Sequence, residues 1–285
     1  MMKFRHPMLA ATIAAALTSQ AAIAEAGVVK AAFPYFQKLL DQHLIEKDLD
    51  SDGLVSAFDY EAALHADETE RLLENQNQLM AEFDVSRLDT REKAIAFWNN
   101  AYNYFMIEQI LTELDGGELV GSVWDYGGRY NPFRDSVFER EKFNIGGEKY
   151  SLSQMEKDVM LGDEYKEKGW KEARVHFTVN CASVGCPPLR TEVYTADNIE
   201  QLMTENTRRA FNTPRQLRVE GSTLYLSKLF DWYEDDYVEE EGSIRAFIEA
   251  YADDHIIEKI QGTNRIRFID YDWNLNKPAN FPEMN

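Results

Sequence analysis

Ala94-Ile95-Ala96-Phe97-Trp98-Asn99-Asn100-Ala101-Tyr102-Asn103-Tyr104-Phe105-Met106-Ile107 is apolar or aromatic on nearly every face when wound as a helix. A surface helix keeps one polar face, whereas a helix that is apolar all round is buried. The stretch therefore predicts a central helix, from about Arg91 to Leu114, on which the rest of the chain packs. Asp89, followed three residues later by Glu92, resembles a capping box that opens it. Asn99, Asn100 and Asn103 interrupt the apolar run, and buried amides must find hydrogen-bond partners. Either they bond neighbouring loop backbones and fix the fold, or Asn100 and Asn103, three apart on one face, orient a catalytic group or a substrate.

Outward from this helix the pattern is mixed. Residues 25 to 47 read as an amphipathic helix, with Phe33, Phe36, Leu39, Leu40 and Leu44 at helical spacing and Pro34 suited to a first turn. Thr69 to Phe83 reads as a second amphipathic helix. Val137 to Ile145 and Glu148 to Leu152, joined by Gly146-Gly147, read as a hairpin. Ser153-Gln154-Met155-Glu156 reads as the cap of a short helix. Arg174 to Asn180 alternates like a strand, and Thr195 to Phe211 reads as a helix. Gln216 to Val219 and Thr223 to Leu226 make a second hairpin about Gly221. Ser227 to Val238 and Gly242 to Ala252 read as helical, and Arg265 to Asp270 as a last strand. These elements define an α+β class: a helix-rich single domain with a small antiparallel or mixed sheet and a central buried helix.

Both cysteines of the chain lie in Arg174-Val175-His176-Phe177-Thr178-Val179-Asn180-Cys181-Ala182-Ser183-Val184-Gly185-Cys186-Pro187-Pro188. His176, Asn180 and Cys181 are residue types used in thiol catalysis: a thiolate attacks an acyl carbonyl while an oriented histidine moves the proton. The candidate catalytic set is Cys181, His176, Asn100 and Asn103, and the reaction a hydrolysis or acyl transfer on an amide or peptide. If 175 to 180 is extended, His176 and Cys181 sit about 16 Å apart at roughly 3.3 Å per residue. A dyad would then need a group from elsewhere in the fold. The opposing reading is a non-catalytic, calcium-binding interaction protein for a peptide or protein partner. In that reading Cys181 and Cys186 form a disulfide, because Gly185 can turn the chain until the Cα atoms come within about 6 Å.

Asp48-Leu49-Asp50-Ser51-Asp52-Gly53-Leu54-Val55-Ser56-Ala57-Phe58-Asp59 carries the spacing of an EF-hand loop. Asp48, Asp50 and Asp52 alternate toward one centre, Gly53 permits the turn, and Leu54 offers its carbonyl. Ser56 and Asp59 occupy the last ligand positions, with Asp in place of the usual Glu. Calcium is the expected ion, with helices before the loop and over Phe58 to Leu64.

The chain of 285 residues carries a formal net charge of −20. Such a surface repels nucleic acid and anionic lipid, which are bound through Lys and Arg. Lys3 and Arg5, the apolar run Met8 to Leu17, and Ala22-Ile23-Ala24 read as a signal peptide over residues 1–24. Its apolar core is too short to span a bilayer, and no later run is long enough. An exported, periplasmic protein is expected, with residues 25–60 forming the first helix and acidic loop and 61–285 the main domain. There is no Gly-x-Ser-x-Gly elbow, zinc motif, Walker loop or dinucleotide fingerprint. The adjacent carboxylates Asp235-Asp236 and Asp253-Asp254 read as solvated faces.

Several stretches together resemble one family, domain of unknown function 547. They are Ala96 to Asn103, Ser151 to Glu156, Val175 to Pro188, Leu229-Phe230-Asp231-Trp232-Tyr233 and Tyr271-Asp272-Trp273-Asn274-Leu275-Asn276. The resemblance covers about residues 55–276. It implies no particular activity, and the acidic loop at 48–59 departs from its usual pattern.

Overall fold

The computed structural model describes residues 27–128 and 136–284. The expected signal peptide lies outside the described residues. The helix Arg91–Thr112 is the axis of the molecule, with almost every residue from Lys93 to Leu111 buried. Its cap is Thr90, whose hydroxyl accepts from Lys93 N, and not Asp89, which pairs with the Lys93 ammonium at 2.8 Å. Phe97 lies at its centre, stacked on Phe83 with centroids 4.2 Å apart and tilted against Phe33 at 5.3 Å. Truncating such a ring to alanine costs about 3–5 kcal/mol.

The N-terminal amphipathic segment breaks at Phe33 into helices Val28–Ala32 and Pro34–His43. It then turns into strand Leu44–Asp48, which pairs antiparallel with Leu54–Phe58. Helices Tyr60–His65 and Thr69–Glu82 return the chain to the central helix. A short hairpin, Phe143–Ile145 with Glu148–Tyr150, follows the segment 129–135, which is outside the described residues.

The second half contributes helix Ile199–Phe211 and a three-stranded mixed sheet. Leu217–Glu220 runs antiparallel to Thr223–Leu226, and Arg265–Phe268 adds in parallel. Helices Leu229–Trp232, Glu234–Glu241, Ile244–Tyr251 and Asp254–Gln261 share a core with this sheet through Phe230, Tyr237, Phe247 and Ile256. The α+β, helix-rich, single-domain class is as the residue pattern predicts.

One prediction fails where it matters most. Ala173–Phe177 is a tight 3-10 turn, not a strand. Val175 and Val179 enter the main core, whereas Ala173 and Phe177 enter a second core built on Phe211, Phe230 and Phe247. The segment is wedged between two apolar masses, so its alternation satisfied a coiled path as well as an extended one. The extended-chain separation of His176 from Cys181 therefore does not apply.

Candidate functional site

A cleft of about 610 Å³ is lined by both cysteines, His176 and Glu156, together with a shelf of aromatic rings. The shelf joins Trp124, Trp232, Tyr271 and Trp273, with Trp124 and Trp273 centroids 4.9 Å apart and Tyr271 and Trp273 at 4.5 Å. Trp232 is 45% exposed at its edge.

His176 is held from several sides. Its ring stacks on Tyr233 with centroids 3.9 Å apart. Nε2 lies 2.9 Å from Asp236 Oδ2, and Asp236 in turn holds Lys171 Nζ at 2.8 Å. Nδ1 is 3.4 Å from Glu156 Oε1, too far for a well-formed hydrogen bond, and has no other partner. Burial opposes charge on this ring, but the hydrogen bond to Asp236 and the Glu156 carboxylate more than offset it, and the pKa is raised. For Asp236 burial again works against the charged form, and the contacts with His176 and Lys171 outweigh it, so its pKa is lowered. Burial pushes the Tyr233 and Tyr271 phenols well above their usual range.

Glu156 reaches the cleft because Gln154–Met160 is a wide π-helical turn. Ser151 and Gln154 cap it reciprocally, each side chain accepting from the other's backbone N–H, at 3.1 and 2.8 Å. The capping role assigned to the Ser153–Glu156 stretch thus belongs to a pair starting two residues earlier, and Glu156 is free to face His176. Single-turn π segments recur at functional sites for this reason.

The cysteine loop is clamped by the C-terminal tail. Cys181 and Cys186 form a disulfide with Cα atoms 6.2 Å apart. Ala182 takes a left-handed φ of 56°, stabilised by its N–H donating to Asn180 Oδ1 at 2.9 Å. Asn180 Oδ1 also accepts from Asn276 Nδ2, and Asn276 N donates to Ala182 O. Tyr271 OH lies 3.2 Å from Cys181 Sγ and 3.1 Å from Cys186 Sγ. Gly185 lets the loop approach Tyr271 closely, since a Cβ there would come 3.0 Å from the ring and push it aside.

The cleft brings together Cys181, Cys186 and His176, but not Asn100 and Asn103. Asn100 makes two hydrogen bonds with the Tyr194 backbone. Asn103 donates to Thr178 O and accepts from Asn180 N, both at 2.8 Å. Both amides are spent on backbone, so Asn103 acts by fixing the turn that carries His176. Glu156, Asp236, Tyr233 and Tyr271 were missed. Asp236 looked like part of a solvated acidic run, yet it sits on the inner face of Glu234–Glu241 beside Tyr237. The signal that could have found this face is the spacing Tyr233, Asp236, Tyr237, which is one side of a helix.

The acidic loop differs from its expectation. The elements beside it are the strands Leu44–Asp48 and Leu54–Phe58, not a pair of helices, and Asp59 caps helix Tyr60–His65 by accepting from Ala62 N. Asp48 is paired with Arg209 and Asp52 with Arg208, while the Gly53 carbonyl takes Leu49 N–H and Arg209. Of the expected ligands Asp48, Asp50, Asp52, Leu54, Ser56 and Asp59, the carboxylates of Asp48, Asp52 and Asp59 are thus engaged by Arg209, Arg208 and the Ala62 N–H. Among the described residues no group of three or more His, Cys, Asp or Glu is placed to hold a metal ion. No helix among the described residues is long and apolar enough to cross a membrane.

No curated protein and no solved structure matches the chain significantly. Glu156, His176, Cys181 and Cys186 fall inside a segment that matches a family model, whereas Tyr233, Asp236 and Tyr271 lie beyond it. That segment, residues 85–210, matches the family described as protein of unknown function, DUF547.

Proposed function

We infer that the cleft performs acyl transfer or hydrolysis on an amide or peptide, with His176 as the proton-handling group and Cys181, once reduced, as the nucleophile. The observation that carries this reading is the placement of His176 and Cys181 in the wall of one cleft, with Asp236 fixing Nε2 and the Glu156 carboxylate 3.4 Å from Nδ1. That is the division of labour in a nucleophile–histidine–orienter set. The Cys181 thiolate adds to the carbonyl carbon and the C–N bond breaks. The amine leaves with the proton carried by His176. A water then returns a proton to His176 and cleaves the thioester. The reaction needs a dithiol reductant to open the disulfide first.

The test uses p-nitrophenyl acetate on the dithiol-reduced protein, with the acetyl group located by peptide mass spectrometry. Acetyl on Cys181, formed much more slowly in His176→Gln, supports the reading. Acetyl elsewhere, or an equal rate in the variant, removes it.

A second reading rests on the disulfide itself. With both sulfurs joined, the protein holds a ligand in the aromatic cleft without turning it over. Under this reading no acetyl-cysteine forms even after reduction. Export to a periplasm is part of both proposals, motivated by Lys3, Arg5 and Met8 to Leu17. Mass spectrometry of the secreted form should find a chain beginning at Glu25.

A further inference from the structure

The two sulfurs of the disulfide are not equivalent. Cys186 Sγ accepts from the Cys181 backbone N–H at 3.0 Å and from the Tyr271 hydroxyl at 3.1 Å, a hydroxyl that also lies 3.2 Å from Cys181 Sγ. Cys186 is 7% exposed, whereas Cys181 is only partly buried. Both atoms belong to the wall of the cleft. In thiol–disulfide exchange the better leaving thiolate departs faster, and a thiolate is stabilised by the donors aimed at it. The Cys181 N–H is aimed at Cys186 Sγ, the Tyr271 hydroxyl stands within reach of either sulfur and can turn to the one that carries charge, and Cys181 is the more accessible residue.

We propose that Cys181–Cys186 is a reactive disulfide that exchanges with a thiol entering the aromatic cleft, with Cys181 Sγ the atom attacked and Cys186 the leaving thiolate. The incoming thiolate forms a new S–S bond to Cys181 as the Cys181–Cys186 bond breaks. The electron pair stays on Cys186 Sγ, where Tyr271 and the Cys181 N–H hold the charge. The Tyr271 phenol remains protonated, because burial raises its pKa, and so keeps its hydrogen to donate. A second thiol attacking the mixed disulfide at the first substrate sulfur releases the substrate disulfide and leaves both cysteines reduced. The protein gains two electrons and the two thiols lose them.

The substrate class is a thiol, small or carried on a peptide. The ring shelf of Trp232, Tyr271 and Trp273 offers apolar area beside the reacting sulfur. Exchange shares its cleft with the acyl-transfer reading and supplies the free Cys181 which that reading needs. It does not require an acyl substrate.

The test incubates the oxidised, full chain with reduced glutathione, quenches with N-ethylmaleimide and maps both cysteines by mass spectrometry. The expected product carries glutathione on Cys181 and maleimide on Cys186. Tyr271→Phe, which keeps the ring, should slow adduct formation about tenfold, the loss of one hydrogen bond to a charged sulfur. Glutathione on Cys186 would overturn the proposal. So would a disulfide that opens only in denaturant, or a Tyr271→Phe rate equal to wild type. The adduct position is read on wild type, so the test does not depend on the variant folding. No acyl donor is present, so failure here is distinct from failure of acyl transfer.

Discussion

His176 Nε2 and Asp236 Oδ2 stand 2.9 Å apart, although 60 residues separate them in the chain. This contact joins the 3-10 turn Ala173–Phe177 to helix Glu234–Glu241 and sets which face of the imidazole is turned to the cleft. Its electrostatics carry a pH signature. The raised pKa of His176 means that its charge stabilises the fold fully below the ordinary histidine value of 6.5, and that this contribution is lost as pH rises through the higher folded value. Asp236 works in the other direction: its contribution is present above the ordinary 3.8 and is lost as pH falls through its lower folded value. Melting temperature measured from pH 5 to 9 should decline on the alkaline side in wild type and decline less in His176→Gln. Parallel curves would contradict the charged pair.

Asp236→Asn keeps the shape but removes the anion facing His176. The partly exposed Lys171 loses a partner as well. A loss of about 1–3 kcal/mol is expected in denaturant unfolding, the scale of a compromised buried hydrogen bond to a charged group. The His176 pKa, followed by NMR, should fall. An unchanged titration would show that Asp236 does not hold the ring.

Asn103→Ala strips partners from Thr178 O and Asn180 N, both buried backbone groups. At about 1–3 kcal/mol for each unsatisfied group, the variant should lose about 2–6 kcal/mol in denaturant unfolding. Any change at the cleft should follow from displacement of the turn, because the amide itself does not face it. Full stability in the variant would contradict the structural role.

How far this arrangement could be read from the residues depends on which force each one answers. The central helix was legible because Ala94 to Ile107 leaves no polar face to expose. Its buried asparagines were legible as needing partners, but which loops they hold was not. Val175-His176-Phe177-Thr178-Val179 was ambiguous because two cores, not one, receive its apolar side chains. Glu156 and Asp236 each had a sufficient local explanation, a cap and a solvated acidic run. Only the tertiary approach of three distant segments gives them another role. The Cys181–Cys186 bridge was legible because a short loop with Gly185 admits it, whereas the contact with Tyr271, 90 residues away from Cys181, was not.

At the acidic loop, calcium would have to compete with guanidinium groups. Arg208 holds Asp52 and Asp253, and is partly exposed. Calorimetric titration is expected to give tighter calcium binding in Arg208→Ala than in wild type, and weaker binding in Asp48→Ala. Equal heats in all three proteins would remove residues 48–59 as a calcium site.

The most direct measurement is the rate of iodoacetamide reaction at Cys181 in the dithiol-reduced protein, followed against pH and located by mass spectrometry. If His176 serves the thiol, wild type should show a reactive thiolate well below the ordinary cysteine range of about 8.5, and His176→Gln should return it to that range. A slow Cys181 with an ordinary profile, identical in both proteins, would contradict the account.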